Sequence, residues 1–115
     1  MDLTENTQKK IRELQNLEQN LQSFLAQKQA IQSELNESIN ALQELEKTDD
    51  EVYKITSNIM IKSTKEALKK ELEEKKRILD IRVTSIEKQE RSLEEKIANF
   101  REEISSLIEK ESKKK

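Results

Sequence analysis

Not one of the 115 residues is glycine or proline. Proline removes a backbone donor and collides with the preceding helical turn, and glycine supplies the left-handed conformations that commonly end helices. A chain without either carries little to stop a helix once it has begun. Apolar residues recur at helical spacing along two long stretches. Only Val52-Tyr53-Lys54-Ile55-Thr56-Ser57-Asn58-Ile59-Met60-Ile61 departs from that period, with a concentration of β-branched residues. The order read from the chain is helix, short β element, helix.

With Leu14 as an a position, the first arm has an a series of Leu14, Leu21, Lys28, Leu35 and Leu42, and a d series of Leu17, Phe24, Ile31, Ser38 and Leu45. This is a sustained coiled-coil seam, and its polar members Lys28 and Ser38 cost stability while fixing register. Ile11, Leu25 and Ile39 fall at e and widen the stripe. The second arm has a d series of Leu72, Leu79, Ile86, Leu93, Phe100 and Leu107, and a mixed a series of Lys76, Val83, Glu90, Ile97 and Ile104. At about 1.5 Å per residue each arm reaches roughly 60–70 Å. Ser63-Thr64-Lys65-Glu66 has the spacing of a capping box, with Ser63 as the expected cap of the second helix. Lys47-Thr48-Asp49-Asp50-Glu51 supplies side chains that bond local backbone, so the first helix is expected to stop there.

Folding the arms back on each other gives an antiparallel coiled coil. Leu21 then lies near Leu93, Ile11 near Ile104, and Lys28 near Glu87 or Glu90. The island between the arms divides into strands over Val52–Ile55 and Ile59–Lys62, with Asn58 the best candidate for a left-handed turn residue. A lone two-stranded hairpin is marginal in water and leaves sticky edges. Hairpins from several chains pairing into one sheet or closed barrel resolve both problems. Val52, Tyr53, Ile55, Ile59, Met60 and Ile61 are therefore the expected assembly residues, set against a plainer role as a local patch packed on the arms' own bases.

Composition narrows the function. Charged residues are 40% of the chain, aromatics 3%, and mean hydropathy is -0.97, too polar for a globular core. Leu, Ile, Val and Phe still make up about a quarter, above the level at which disorder is the default. Extended coiled coil satisfies both. Acids and bases are interspersed and the net charge is only -2, against the one-sided basic face that nucleic acid needs. His and Cys are absent, and so is any Gly-rich phosphate loop, which makes an enzyme or a bound cofactor or metal unexpected. No apolar run approaches a membrane span and no secretory signal opens the chain, so a cytoplasmic location is expected. The Asn36-Glu37-Ser38 glycosylation triplet falls in mid-helix and is discounted. Ile78 and Ile81 stand off the d stripe, facing the hub, a neighbouring subunit or simply solvent.

Val52-Tyr53-Lys54-Ile55, Ile59-Met60-Ile61-Lys62-Ser63-Thr64-Lys65, Leu79-Asp80-Ile81-Arg82 and Ile86-Glu87-Lys88-Gln89-Glu90 together resemble a β-type prefoldin subunit. The matching pattern is a VYK-I hairpin, a helix start of K-T/S-T-K type, and R-x-x-x-L/I-E-x-Q-E in the second helix. It covers nearly the whole chain and departs at Ser57, where many relatives carry Gly. The resemblance implies one prefoldin-like domain over residues 1–115. It divides into a first coiled-coil helix (1–48), a hairpin region (49–63), and a second helix with a basic tail (64–115). The fold class expected is mainly α, a long two-helix coiled coil joined by one short β-hairpin that assembles with other subunits into a β-barrel hub.

The resemblance also implies a hexamer of two α-type and four β-type subunits. Such a complex holds unfolded client proteins at its coiled-coil tips without ATP and delivers them to a group II chaperonin. Client contact then falls to apolar residues at the helix ends: Leu3, Ile11, Leu14 and Leu17, with Phe100, Ile104, Leu107 and Ile108. Helix ends fray, and weak distributed apolar contacts suit unrelated clients. Leu14, Leu17, Phe100, Ile104 and Leu107 also read as ordinary seam residues, whereas Ile11 and Ile108 sit off a and d. The Lys110, Lys113, Lys114 and Lys115 tail reads as solvated, against a contact for a membrane or nucleic acid or, in a prefoldin-like arrangement, for the chaperonin or an acidic client stretch. The alternatives are a structural coiled-coil tether or scaffold, which has no use for the β island, and a nucleic-acid-binding helical hairpin, which the charge mixing disfavours.

Overall fold

The computed structural model describes residues 4–49 and 51–113. The order is α1 (Glu5–Lys47), β1 (Glu51–Thr56), β2 (Ile59–Thr64) and α2 (Lys65–Lys113). Two compact units share these elements, one holding residues 1–28 and 86–115 and the other residues 29–85. In each, a stretch of α1 lies antiparallel to a stretch of α2. No helix among the described residues is long and apolar enough to cross a membrane.

The unit of residues 29–85 contains the chain reversal. Leu45, Val52 and Leu79 are buried there, with Ile31, Leu35, Ile39, Leu42, Leu68, Leu72 and Val83 half-buried around them. α1 ends without a glycine because side chains take over its last carbonyls. The Thr48 hydroxyl donates to Leu45 O at 2.8 Å, and Lys65 Nζ reaches back across the hairpin to Glu46 O and Thr48 O, each at 3.2 Å. These are the acceptors a helix end leaves open, and a cation is favoured beside them.

The hairpin runs further in both directions than its apolar residues suggest. Glu51 pairs with Thr64 at one end and Thr56 with Ile59 at the other, leaving a two-residue turn. The type I′ form of such a turn needs left-handed backbone at both positions. Ser57 (φ 48°) joins the expected Asn58 (φ 66°) in that region. At the other end, Ser63 is paired with Val52 and is not the helix cap. That role moves one residue on, to Thr64, whose Oγ1 accepts from the Ala67 N–H at 3.1 Å. The sequence offered two adjacent hydroxyls, and strand pairing consumed the first.

The unit of residues 1–28 and 86–115 buries Ile86, Leu93, Ile97 and Ile104, with Leu14, Leu17, Leu21, Phe24, Phe100 and Leu107 half-buried. Ion pairs between the helices mark its register. Lys28 Nζ lies 3.4 Å from Glu90 Oε2, Arg101 Nη2 lies 3.4 Å from Glu18 Oε1, and Lys10 pairs with Glu103. The two sequence options for Lys28 thus resolve to Glu90, one heptad after Val83 in the a series. At the start of α1, Thr4 is the cap, its Oγ1 accepting from the Thr7 N–H at 3.2 Å.

Candidate functional site

The residues expected to make contacts fall in two places: the hairpin in one unit and the helix ends in the other. The hairpin register sorts its side chains into two faces. Tyr53 and Ile55 share a face with their partners Lys62 and Met60. Val52, Lys54 and Thr56 share the other with Ser63, Ile61 and Ile59. Val52 is only 7% exposed, packed at the base of the hairpin within a cleft that Leu45, Leu68 and Leu72 also line. The other five expected assembly residues stand in solvent, from Ile61 at 47% exposed to Ile55 at 73%. Both faces therefore carry uncovered apolar side chains.

Ion pairs hold the hairpin's orientation without covering it. Lys54 Nζ reaches Glu71 Oε1 on α2 at 2.6 Å, and Lys62 Nζ reaches Glu51 Oε1 across the strands at 3.1 Å. Strand edges with exposed apolar faces are templates for pairing with another chain.

At the helix ends the picture is the reverse. Ile104 is buried at 7% exposed, and Ile11, Leu14, Leu17, Phe100, Leu107 and Ile108 are all half-buried. Leu3 lies outside the described residues, as do Lys114 and Lys115. Leu17 and Phe100 line a shallow groove of about 360 Å³ with Glu13, Asn16 and Lys96. A second groove of about 330 Å³ runs beside Phe24 and Leu93, flanked by Lys88 and Lys96. Each of the two seam phenylalanines thus borders one of the grooves. Lys110 and Lys113 are exposed, and Lys113 pairs with Glu109 one turn away at 3.5 Å.

The feature sequence reasoning missed is polar. Thr7, one heptad before Leu14, and Glu111, one heptad after Ile104, extend the two a series and meet between the helix ends. Continuing each series by seven would have found them, but neither residue type draws attention in an apolar seam. Ile78 and Ile81 are exposed on α2 at 41% and 55%. Among the described residues, no group of acidic side chains is arranged to hold a metal ion.

Comparison with known proteins agrees with this architecture. The family described as prefoldin subunit matches residues 8–111. The prefoldin subunit beta of Archaeoglobus fulgidus is 37% identical over 109 residues, covering 93% of this chain and 94% of that protein. That of Pyrococcus furiosus is 39% identical over 98 residues, covering 84% of each. The crystal structure of the prefoldin beta subunit from Thermococcus strain KS-1 superposes with a TM-score of 0.84 at 34% identity, over 91% of this chain and 94% of that one.

Proposed function

The chain belongs to the prefoldin family as a β-type chaperone subunit, and from that premise we propose a complete working assembly for it. Four copies join two α-type subunits in a hetero-hexamer, their hairpins closing into a β-barrel hub from which the coiled coils project. Each copy serves as a single prefoldin-like domain spanning residues 1–115. The observation that carries this reading is the hairpin, whose Tyr53, Ile55, Ile59, Met60 and Ile61 are exposed although α1 and α2 bury their own seams. Five large apolar residues on twelve paired positions are a cost in a lone chain and an asset in a sheet that continues through its neighbours.

Capture of unfolded polypeptides falls to the helix ends: Leu3, Ile11, Leu14 and Leu17 of the first arm, and Phe100, Ile104, Leu107 and Ile108 of the second. Apolar contact is non-directional, so it accepts clients of unrelated sequence. The affinity of each contact is low, and several arms acting on one client raise it through effective concentration. No step in such holding requires nucleotide hydrolysis. A client held by weak contacts is released readily to a group II chaperonin in the cytoplasm.

The experiment is truncation of both ends, removing residues 1–11 and 104–115, followed by light scattering of a diluted, guanidine-unfolded protein without ATP. Suppression of aggregation falls while the size of the complex is unchanged. Loss of the complex, or undiminished suppression, contradicts the assignment of capture to the ends.

A further inference from the structure

Resting on the reading that clients are captured at the helix ends, we propose that Thr4, Thr7 and Glu111 form a latch that sets how often those ends separate. The observation behind it is a mismatch: capture needs open apolar surface, yet Ile104 is buried and Ile11, Leu107 and Ile108 are half-buried beneath the place where the helices meet. What closes that place is a hydrogen-bond chain. Thr7 is 0% exposed. Its hydroxyl donates to Glu111 Oε1 at 3.1 Å, and the Thr4 backbone N–H donates to the same oxygen at 3.3 Å. The Thr4 and Thr7 hydroxyls lie 2.9 Å apart. With the Thr7 proton spent on Glu111, the Thr4 hydroxyl must donate to Thr7 Oγ1, so one arrangement of protons satisfies the whole chain. Thr4 Oγ1 is at the same time the cap of α1, so the carboxylate of α2 holds the first turn of α1 by its cap and its buried third residue.

A polar closure of this kind behaves differently from an apolar one. Its bonds replace bonds to water, so the net gain is small, but deleting the hydroxyl of the fully buried Thr7 takes a donor from the half-buried Glu111 carboxylate. The ends are therefore either closed with the chain complete or open with all three groups hydrated. Apparent client affinity scales with the open fraction when only the open form binds. A sealed apolar layer at the same position would hide Ile104 and its neighbours too well, and an unsealed end would expose them to every other copy. The latch places the chain between these states.

The test uses the full chain in its assembled complex. Thr7→Val keeps the volume and the backbone bond to Thr4 but deletes the side-chain donor to Glu111, leaving the Thr4 N–H in place. Amide hydrogen exchange over residues 100–111 should accelerate about tenfold, the loss of one charge-assisted bond, and the rate of capture of guanidine-unfolded, reduced lysozyme should rise with it. Thr7→Val combined with Glu111→Leu replaces the chain by an apolar layer, and should slow both exchange and capture below the wild-type values. Unchanged exchange in Thr7→Val overturns the proposal. So does exchange that shifts in both variants while capture fails to follow. A wild-type complex that captures nothing overturns the chaperone assignment instead, and the exchange rates alone then decide whether the three residues hold the ends.

Discussion

Replacing Lys28 and Glu90 separately and together interrogates the seam at its most exposed assumption, that a charged pair has been placed where leucines belong. Lys28 Nζ and Glu90 Oε2 are 3.4 Å apart, and their side chains retain 25% and 13% of their exposure. At an effective dielectric of about 20, that separation corresponds to roughly 5 kcal/mol of attraction before desolvation and side-chain ordering are charged against it. Those opposing costs remove most of it, leaving a net coupling of about 1 kcal/mol. Lys28→Gln or Glu90→Gln alone strands a partly buried charge and should lower stability by about 1–2 kcal/mol. Together they should cost about 1 kcal/mol less than the sum, which is the coupling. Lys28→Leu with Glu90→Leu should instead raise stability by about 1–2 kcal/mol, because the apolar pair fills the layer without desolvating charge. Urea unfolding followed by circular dichroism at fixed chain concentration measures all of these. An additive glutamine cycle refutes the claim that the two side chains offset each other at the seam, and a less stable leucine pair refutes the claim that desolvation outweighs their attraction.

Three further outcomes follow from the hairpin and its surroundings. Lys65→Met removes the donor to Glu46 O and Thr48 O; it should speed amide exchange in the last turn of α1 and cost about 1 kcal/mol, whereas unchanged exchange would mean that water caps those carbonyls equally well. Ser57→Asn with Asn58→Gly suits the two left-handed positions better and should stabilise the chain by about 0.5–1 kcal/mol, measured by thermal unfolding; a loss would show the turn is not of this type. The Arg77 guanidinium bonds Glu74 at 2.6 and 3.1 Å and holds its carboxyl below the usual carboxylate range, first through the hydrogen bonds and then through charge. A carboxyl lowered in the folded chain contributes above its unfolded pKa and loses that contribution as pH falls through the folded value. Carbon-detected NMR titration should show the Glu74 midpoint rising in Arg77→Gln, and an unmoved midpoint would remove Arg77 as the cause.

How much of this was legible in the sequence depends on which force fixed each feature. The seam was legible because burial follows a period: Leu79, Ile86 and Leu93 were assigned to d from spacing alone, and all are buried. The helix order and the hairpin followed from where that period broke. The shift of the α2 cap from Ser63 to Thr64 was not legible, because two adjacent hydroxyls have equal capping strength and only cross-strand pairing with Val52 separates them. Ser57 was passed over for Asn58 because a serine with positive φ is uncommon, and the two-residue turn overrides that preference. The return of Lys65 to the end of α1 joins residues whose proximity exists only after the chain has reversed. At the helix ends the sequence named apolar candidates by their distance from the reversal. It did not show that Thr7 and Glu111 bond to each other between the two ends, because hydrogen bonds between polar residues leave no periodic trace.

Membership of the prefoldin family and an exposed apolar hairpin together make this chain one part of a larger complex. Native mass spectrometry of the tagged chain, purified from the lysate of its own source, tests that most directly. The expected species is a six-chain complex with four copies of this subunit and two of a larger one, lost when Ile55 and Ile61 are both changed to Asp. A homodimer without a second subunit, unaffected by those changes, would contradict it and favour a coiled-coil tether.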